Sequence, residues 1–286
     1  MSVASEITRI QNAKASLKTS INAKTDAQHQ ITNEKIDDYA DFVDSITTGG
    51  GGHDWSAIGY TGEPSYLVNA YNHAVEIYNA YESTTDWNQK YRDDENLFYF
   101  PYIDTSSVLD FNACFYNDYR LVSVPALDTR SATRLRNMFY VCYSLQHVDF
   151  TNFDTSNCTS MEGMFYRCYS LGNMVLDFDT DKVTTFESMF QDCWHIQELD
   201  LSSWTSTAVS TCAYMFSGCR TLSKLDMRNF DFTKLNTSSK RTQMFGTNAS
   251  SGPPNNCLII VKDSSQKSWF STNFSRFTNV KTPSEL

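Results

Sequence analysis

Two rhythms of apolar residues alternate along the middle of the chain. One is a short strand pattern, Leu145-x-x-Val148-x-Phe150, Ile196-x-x-Leu199-x-Leu201 and Leu222-x-x-Leu225-x-Met227, in which alternate side chains face one side. The other repeats apolar residues at i, i+3, i+6 and i+7: Val108, Phe111, Cys114, Phe115; Ala132, Leu135, Met138, Phe139; Cys158, Met161, Met164, Phe165; Val183, Phe186, Met189, Phe190; Val209, Cys212, Met215, Phe216. That spacing predicts the apolar stripe of a helix. The stripes run into Met-Phe-x-x-Cys at Met138, Met164, Met189 and Met215, with degenerate copies at Cys114-Phe115 and Met244-Phe245, at steps of 24, 26, 25, 26 and 29 residues. A period near 25 falls in the leucine-rich-repeat range, so the pattern predicts an α/β repeat: a capped solenoid with one short parallel strand and one helix per turn.

Between strand and stripe lies a tripeptide, Asp104-Thr105-Ser106, Asp128-Thr129-Arg130, Asp154-Thr155-Ser156 and Asp179-Thr180-Asp181, whose short oxygen-bearing side chains suit the first turn of a helix as caps. A catalytic reading of these residues would need a partnered histidine, whereas recurrence in successive turns is what capping requires. Cys142, Cys168, Cys193 and Cys219 form one column, with Asn248 in the last place. Neighbouring turns about 5 Å apart would bring such cysteines toward disulfide range, but inward-facing thiols need no bond, and reduced cysteines are expected. Cys114, Cys158 and Cys212 fall on the stripe as core residues.

The repeat resembles the BspA-like surface leucine-rich repeats, in their Met-Phe-x-x-Cys variety, over residues 97–261. The resemblance implies the solenoid and a binding surface rather than any one ligand. Residues 53–96 are then read as the N-terminal cap. At the other end Leu258–Val261 reads as the final buried strand, and 262–286, with Trp269, Phe270, Phe274 and Phe277, as an aromatic helical cap.

The N-terminal end has a different pattern. Ile7, Ile10, Lys14, Leu17, Ile21 and Lys24 keep heptad spacing, and Ile36, Tyr39, Val43 and Ile46 continue it, predicting a helical anchor over 1–48. So narrow a stripe needs a partner, a second copy or another protein, so Ile7, Ile10, Leu17, Ile21, Ile36, Tyr39, Val43 and Ile46 are the expected oligomerisation or docking residues. Gly49 to Gly52 form a hinge, since no Gly-Lys-Ser/Thr follows to make a phosphate loop. The segments Ala4 to Lys14 and Lys35 to Ile46 are similar to a module of structural proteins of tailed bacteriophages. That resemblance implies a virion anchor carrying a variable head.

Composition narrows the function. A formal charge of -10 disfavours nucleic acid. No stretch approaches the roughly 20 apolar residues of a bilayer span, and the polar first 25 residues hold no signal-peptide core, so a soluble, non-exported chain is expected. The 8 cysteines include no C-x-x-C pair, and His29, His53, His73, His147 and His195 are scattered without metal or nucleophile spacing. No enzyme, cofactor or metal is expected.

The rings are numerous, 16 Tyr, 19 Phe and 5 Trp. Tyr119, Tyr143, Tyr169, Trp194 and Arg220 occupy one column, and Tyr116, Tyr140 and Tyr166 another. Pointing outward, they form a rail for sugars or proteins; pointing inward, an aromatic spine. A third column, Asp149, Asp200 and Asp226, should face solvent, with a calcium ladder as the alternative. The function expected is a phage virion structural protein, a tail or head fibre or similar appendage, binding host-surface polysaccharide or protein and joined to virion proteins, and to copies of itself as a homo-oligomer, through the anchor. The alternative is a BspA-like adhesin at the bacterial surface.

Overall fold

In the computed structural model, which describes residues 73–74, 76–77, 80, 84–101 and 103–286, a strand of two or three residues recurs in successive coils. The strands are β1 (Ser123–Val124), β2 (His147–Val148), β3 (Met174–Val175), β4 (Glu198–Asp200), β5 (Lys224–Asp226), β6 (Leu258–Ile260) and β7 (Val280–Lys281). All pairings are parallel: β1 with β2, and β3 through β7 in sequence order. Alternation sets the register, because Val124, Val148, Leu199, Leu225 and Ile259 all point into the core. β6 is not the final strand, since β7 follows the C-terminal helix and pairs with it. The anchor read at 1–48, with all eight docking residues from Ile7 to Ile46, lies outside the described residues, as do the hinge at 49–52 and much of the cap segment 53–96.

The chain divides into two compact units, Met1–Glu82 with Asn96–Ile103, and Ser83–Glu95 with Asp104–Leu286. In the first, Ala74, Ile77, Leu97, Phe100 and Ile103 are buried. The second is the solenoid. Its first coil, 84–95, falls inside the segment read as a cap.

The helix expected in each turn does not form. Each Met-Phe segment is a run of tight turns bracketed by two left-handed residues: Gln89 and Asp93, Ala113 and Asn117, Asn137 and Val141, Gly163 and Arg167, Ser188 and Asp192, Tyr214 and Gly218, Gln243 and Gly246, with φ between 44° and 82°. Two left-handed residues in five exclude an α-helix. They also redirect the amides. Phe111, Ala113, Phe115 and Asn117 donate to carbonyls of Arg134, Arg136, Met138 and Tyr140 in the next coil at 2.7–3.0 Å, while Cys114, Tyr116 and Asp118 donate to the residue three before at 3.1–3.3 Å. Alternate amides thus close turns and join coils. A tight turn buries every third residue much as a helix does, which is why the apolar spacing imitates one.

Along the interior runs a stack of rings, Tyr91, Phe115, Phe139, Phe165, Phe190, Phe216 and Phe245, with centroids 5.4–5.8 Å apart and planes within 15°. The C-terminal helix (Ser264–Asn273), started by Asp263 accepting from the Gln266 amide at 2.9 Å, closes the stack. Phe245 meets Phe270, Phe274 and Phe277 there edge-on, as an aromatic cap requires.

The Asp-Thr-Ser tripeptides cap turns rather than helices. Asp104, Asp154 and Asp179 each accept, through Oδ1, the amide two residues on at 2.9–3.0 Å. The threonine is the structural member. Thr105, Thr129 and Thr155 are buried and donate to the carbonyls of Asp128, Asp154 and Asp179 in the next coil at 2.8–2.9 Å, and Thr180 repeats the bond to Thr205 at 3.1 Å. A buried hydroxyl ladder therefore runs parallel to the rings.

Phe165, fully buried with rings on both sides, should cost about 3–5 kcal/mol when replaced by Ala. Thr155→Val should cost about 1–3 kcal/mol by stranding the Asp179 carbonyl, and Thr155→Ser much less. Urea denaturation checks both, and equal losses for Val and Ser would remove the hydroxyl from the account.

Candidate functional site

The turns that carry the interior phenylalanines also fix what stands outside them. The residue after each Met-Phe pair leaves the core, so Tyr116, Tyr140 and Tyr166 stack at 4.7 and 4.3 Å, half-buried. Arg92, their counterpart in the first coil, lies 4.4 Å above the Tyr116 ring. Burial pushes the Tyr140 phenol up to about 12, with Tyr166 and Tyr116 adding to the shift, so this hydroxyl stays a neutral donor.

The residues after the cysteine column form the second stack. Tyr143 and Tyr169 lie 4.7 Å apart, Tyr169 and Trp194 4.0 Å apart, and the Arg220 guanidinium 5.1 Å from the Trp194 ring. Tyr143, Tyr169 and Trp194 are half-buried and Arg220 is exposed. Tyr119 heads the same column, but its ring contact is with Arg120, at 5.6 Å. The column is thus neither a bare rail nor a buried spine. Both faces of Tyr169 are covered by its neighbours and Arg220 covers Trp194, so a sugar ring cannot stack inside the column. Ring edges, hydroxyls and guanidinium remain for recognition.

Arg167 ties the two columns together. Its guanidinium lies 5.2 Å from the Tyr166 ring, pairs with Asp192 at 3.5 Å and neighbours the Tyr143 side chain. Arg167 and Asp192 were not singled out from the sequence. The signal available was position, since both are left-handed residues directly before a column cysteine.

The column cysteines are free thiols, and burial pushes them well above the ordinary thiol range, which makes them poor nucleophiles. Cys142, Cys168, Cys193 and Cys219 donate to the carbonyls of Phe115, Phe139, Phe165 and Phe190 in the preceding coil at 3.0–3.1 Å. The acidic column divides. Asp149 is half-buried and Asp200 exposed, as a solvated face requires, but Asp226 is 3% exposed and bound to Arg228. Among the described residues no group of three His, Cys, Asp or Glu side chains is placed to hold a metal ion.

The cysteine column starts with a carboxyl. Asp118 occupies the cysteine position of the second coil, fully buried, with Oδ1 accepting the Asp94 amide at 2.8 Å and Oδ2 without a hydrogen-bond partner. Burial pushes its pKa up to about 8; the Asp94 amide opposes the shift, and the charges of Asp94 and Asp93 add to it.

Two overlapping segments of the chain, residues 75–174 and 133–253, match the family model described as Mycoplasma protein of unknown function, DUF285. The match takes in the first coil at 84–95. No curated protein matches the chain.

Because the pKa of Asp118 in the fold lies above its ordinary 3.8, the fold favours the neutral acid. That stability is fully present below 3.8 and lost as pH rises through about 8. Between pH 5 and pH 9 the protein should lose on the order of a few kcal/mol relative to Asp118→Asn, which keeps the shape and cannot titrate. Denaturation curves at the two pH values measure it, and parallel behaviour of the two proteins would show that Asp118 is ionised throughout.

Proposed function

The chain belongs to the DUF285 family, whose description states no function, and we propose that this member is a binding module rather than an enzyme. The observation that carries the reading is the continuous Tyr143–Tyr169–Trp194–Arg220 column, rigid because each ring is held by the next and half-exposed along its length. Preorganised rings and guanidinium lose little conformational entropy on binding, and such side chains dominate recognition surfaces. The edge-on hydroxyls suit hydrogen bonding to a surface polysaccharide or to an amphipathic protein segment.

In this reading residues 1–48 anchor the module, and a tailed-phage appendage facing the host surface is its setting. The phage resemblance of residues 4–14 and 35–46 supports that setting. The family's description names a bacterium, which keeps the bacterial cell surface as the second. Many copies on one particle would convert modest affinity per module into firm attachment.

Substituting Tyr143→Phe, Tyr169→Phe and Arg220→Gln together removes polar edges and keeps the three rings stacked. Attachment to host cells should fall at least about tenfold, the effect of losing one or two good hydrogen bonds, with the thermal midpoint nearly unchanged. Unchanged attachment would exclude the column as the contact. Tyr169→Ala should instead cost about 1–3 kcal/mol of stability, because two ring contacts are lost. In the anchor, Ile10→Asp with Leu17→Asp should lower the oligomeric state seen in sedimentation, and detection of the chain in purified virions would distinguish phage from cell surface.

A further inference from the structure

The parallel sheet is interrupted at one place, between β2 and β3. Two local departures from the repeat accompany the break. Only Asp177 separates Leu176 from Phe178, where two residues separate Phe150 from Phe153, Leu201 from Trp204 and Met227 from Phe230. Gly172-Asn173 also precedes the strand, and the Asn173 side-chain oxygen takes the amides of Gln197 and Glu198 at 2.8 and 2.9 Å. In the neighbouring pairs a main-chain carbonyl fills that role: Val122 accepts from Gln146 at 2.9 Å and His147 at 3.3 Å, and Gln197 accepts from Ser223 at 2.8 Å and Lys224 at 3.2 Å. β3 is joined to β4 by parallel pairing and by the Asn173 side chain, and it belongs to a different sheet from β2.

The break opens a cleft of about 790 Å³ on the strand side of the solenoid. Apolar positions that are closed elsewhere are open here. Phe150 is half-exposed where Leu201 and Met227 are fully buried, and Met174 is half-exposed where Leu199 and Leu225 are buried. Val175 stands in the column of Asp149, Asp200 and Asp226 and is 80% exposed, the largest exposure of any large hydrophobic side chain described. The cleft is also acidic. Asp149, Asp177, Glu198 and Asp200 line it, against Lys224, which pairs with Glu198 at 3.6 Å, and His147.

We propose that this cleft docks an extended segment of a partner protein in which an apolar side chain is flanked by lysine or arginine. The apolar floor and Val175 would take the uncharged side chain, and the carboxylates the cations. A chain of net charge -10 disfavours a second copy of itself or an anionic polymer as the occupant. None of Tyr143, Tyr169, Trp194 and Arg220 lines the cleft, so the inference is independent of the function proposed for that column.

The test uses the full chain and a labelled peptide of alternating lysine and valine. Hydrogen exchange should show protection at residues 146–150 and 172–177, and neither a glutamate–valine nor a lysine–serine peptide should produce it. Val175→Ser, at an exposed position where folding is not at risk, should weaken binding at least about fivefold through lost apolar contact. Asp177→Asn with Glu198→Gln should weaken it further and flatten its salt dependence. Arg220→Gln should leave it unchanged. The proposal fails if Val175→Ser binds as tightly as the parent protein, because the attraction is then charge alone. It also fails if protection falls elsewhere or is absent, or if a neutral oligosaccharide displaces the peptide and so assigns the cleft to a glycan.

Discussion

Each coil passes half of its turn amides to the next, and the rest of the solenoid depends on that hand-over. The pairs of left-handed residues around every Met-Phe segment rotate alternate N–H groups onto the solenoid axis, so the turns bond coil to coil as a parallel sheet does. A strand of only two or three residues per coil could not hold the stack alone. Asparagine, aspartate and glycine reach the left-handed region at little cost, but Val141 at φ 66° does not, and only the bonds on either side of it keep a β-branched residue there.

With the coils locked in translation, side chains at equivalent positions must meet their copies. The same fact produces the phenylalanine stack inside, the threonine and cysteine ladders bonded to the neighbouring coil's carbonyls, and the two tyrosine columns outside. Interior ladders satisfy polar atoms that burial would otherwise strand. Exterior columns spend their ring faces on each other, which leaves edges, hydroxyls and the arginines at their ends as the groups that a partner could meet.

Departures from the repeat are where local chemistry appears. Asp118 replaces a thiol with a buried acid, and burial raises its pKa. Where one residue is missing before Phe178 and Asn173 takes amides that a carbonyl takes elsewhere, β2 and β3 do not pair, and Phe150 and Met174 are half-exposed.

The sequence by itself determined the repeat, its period, the buried ring in each coil, the strands at 147–148, 198–200 and 224–226 and the aromatic closure after residue 262. Those follow from spacing and polarity, which are local and legible. Only the tertiary structure decided that the Met-Phe segments are turns, because a residue buried every third position fits helix and tight turn alike, and the left-handed residues, Gln89, Ala113, Ser188 and Tyr214 among them, share no side-chain type. It also decided that residues 84–95 already form a coil, in which Lys90-Tyr91 keeps the position but not the letters of Met-Phe, and that Tyr143, Tyr169 and Trp194 are half-buried. Which face of a tyrosine is covered depends on the ring one coil away, a contact between residues some 25 positions apart whose geometry the backbone bonds between coils impose.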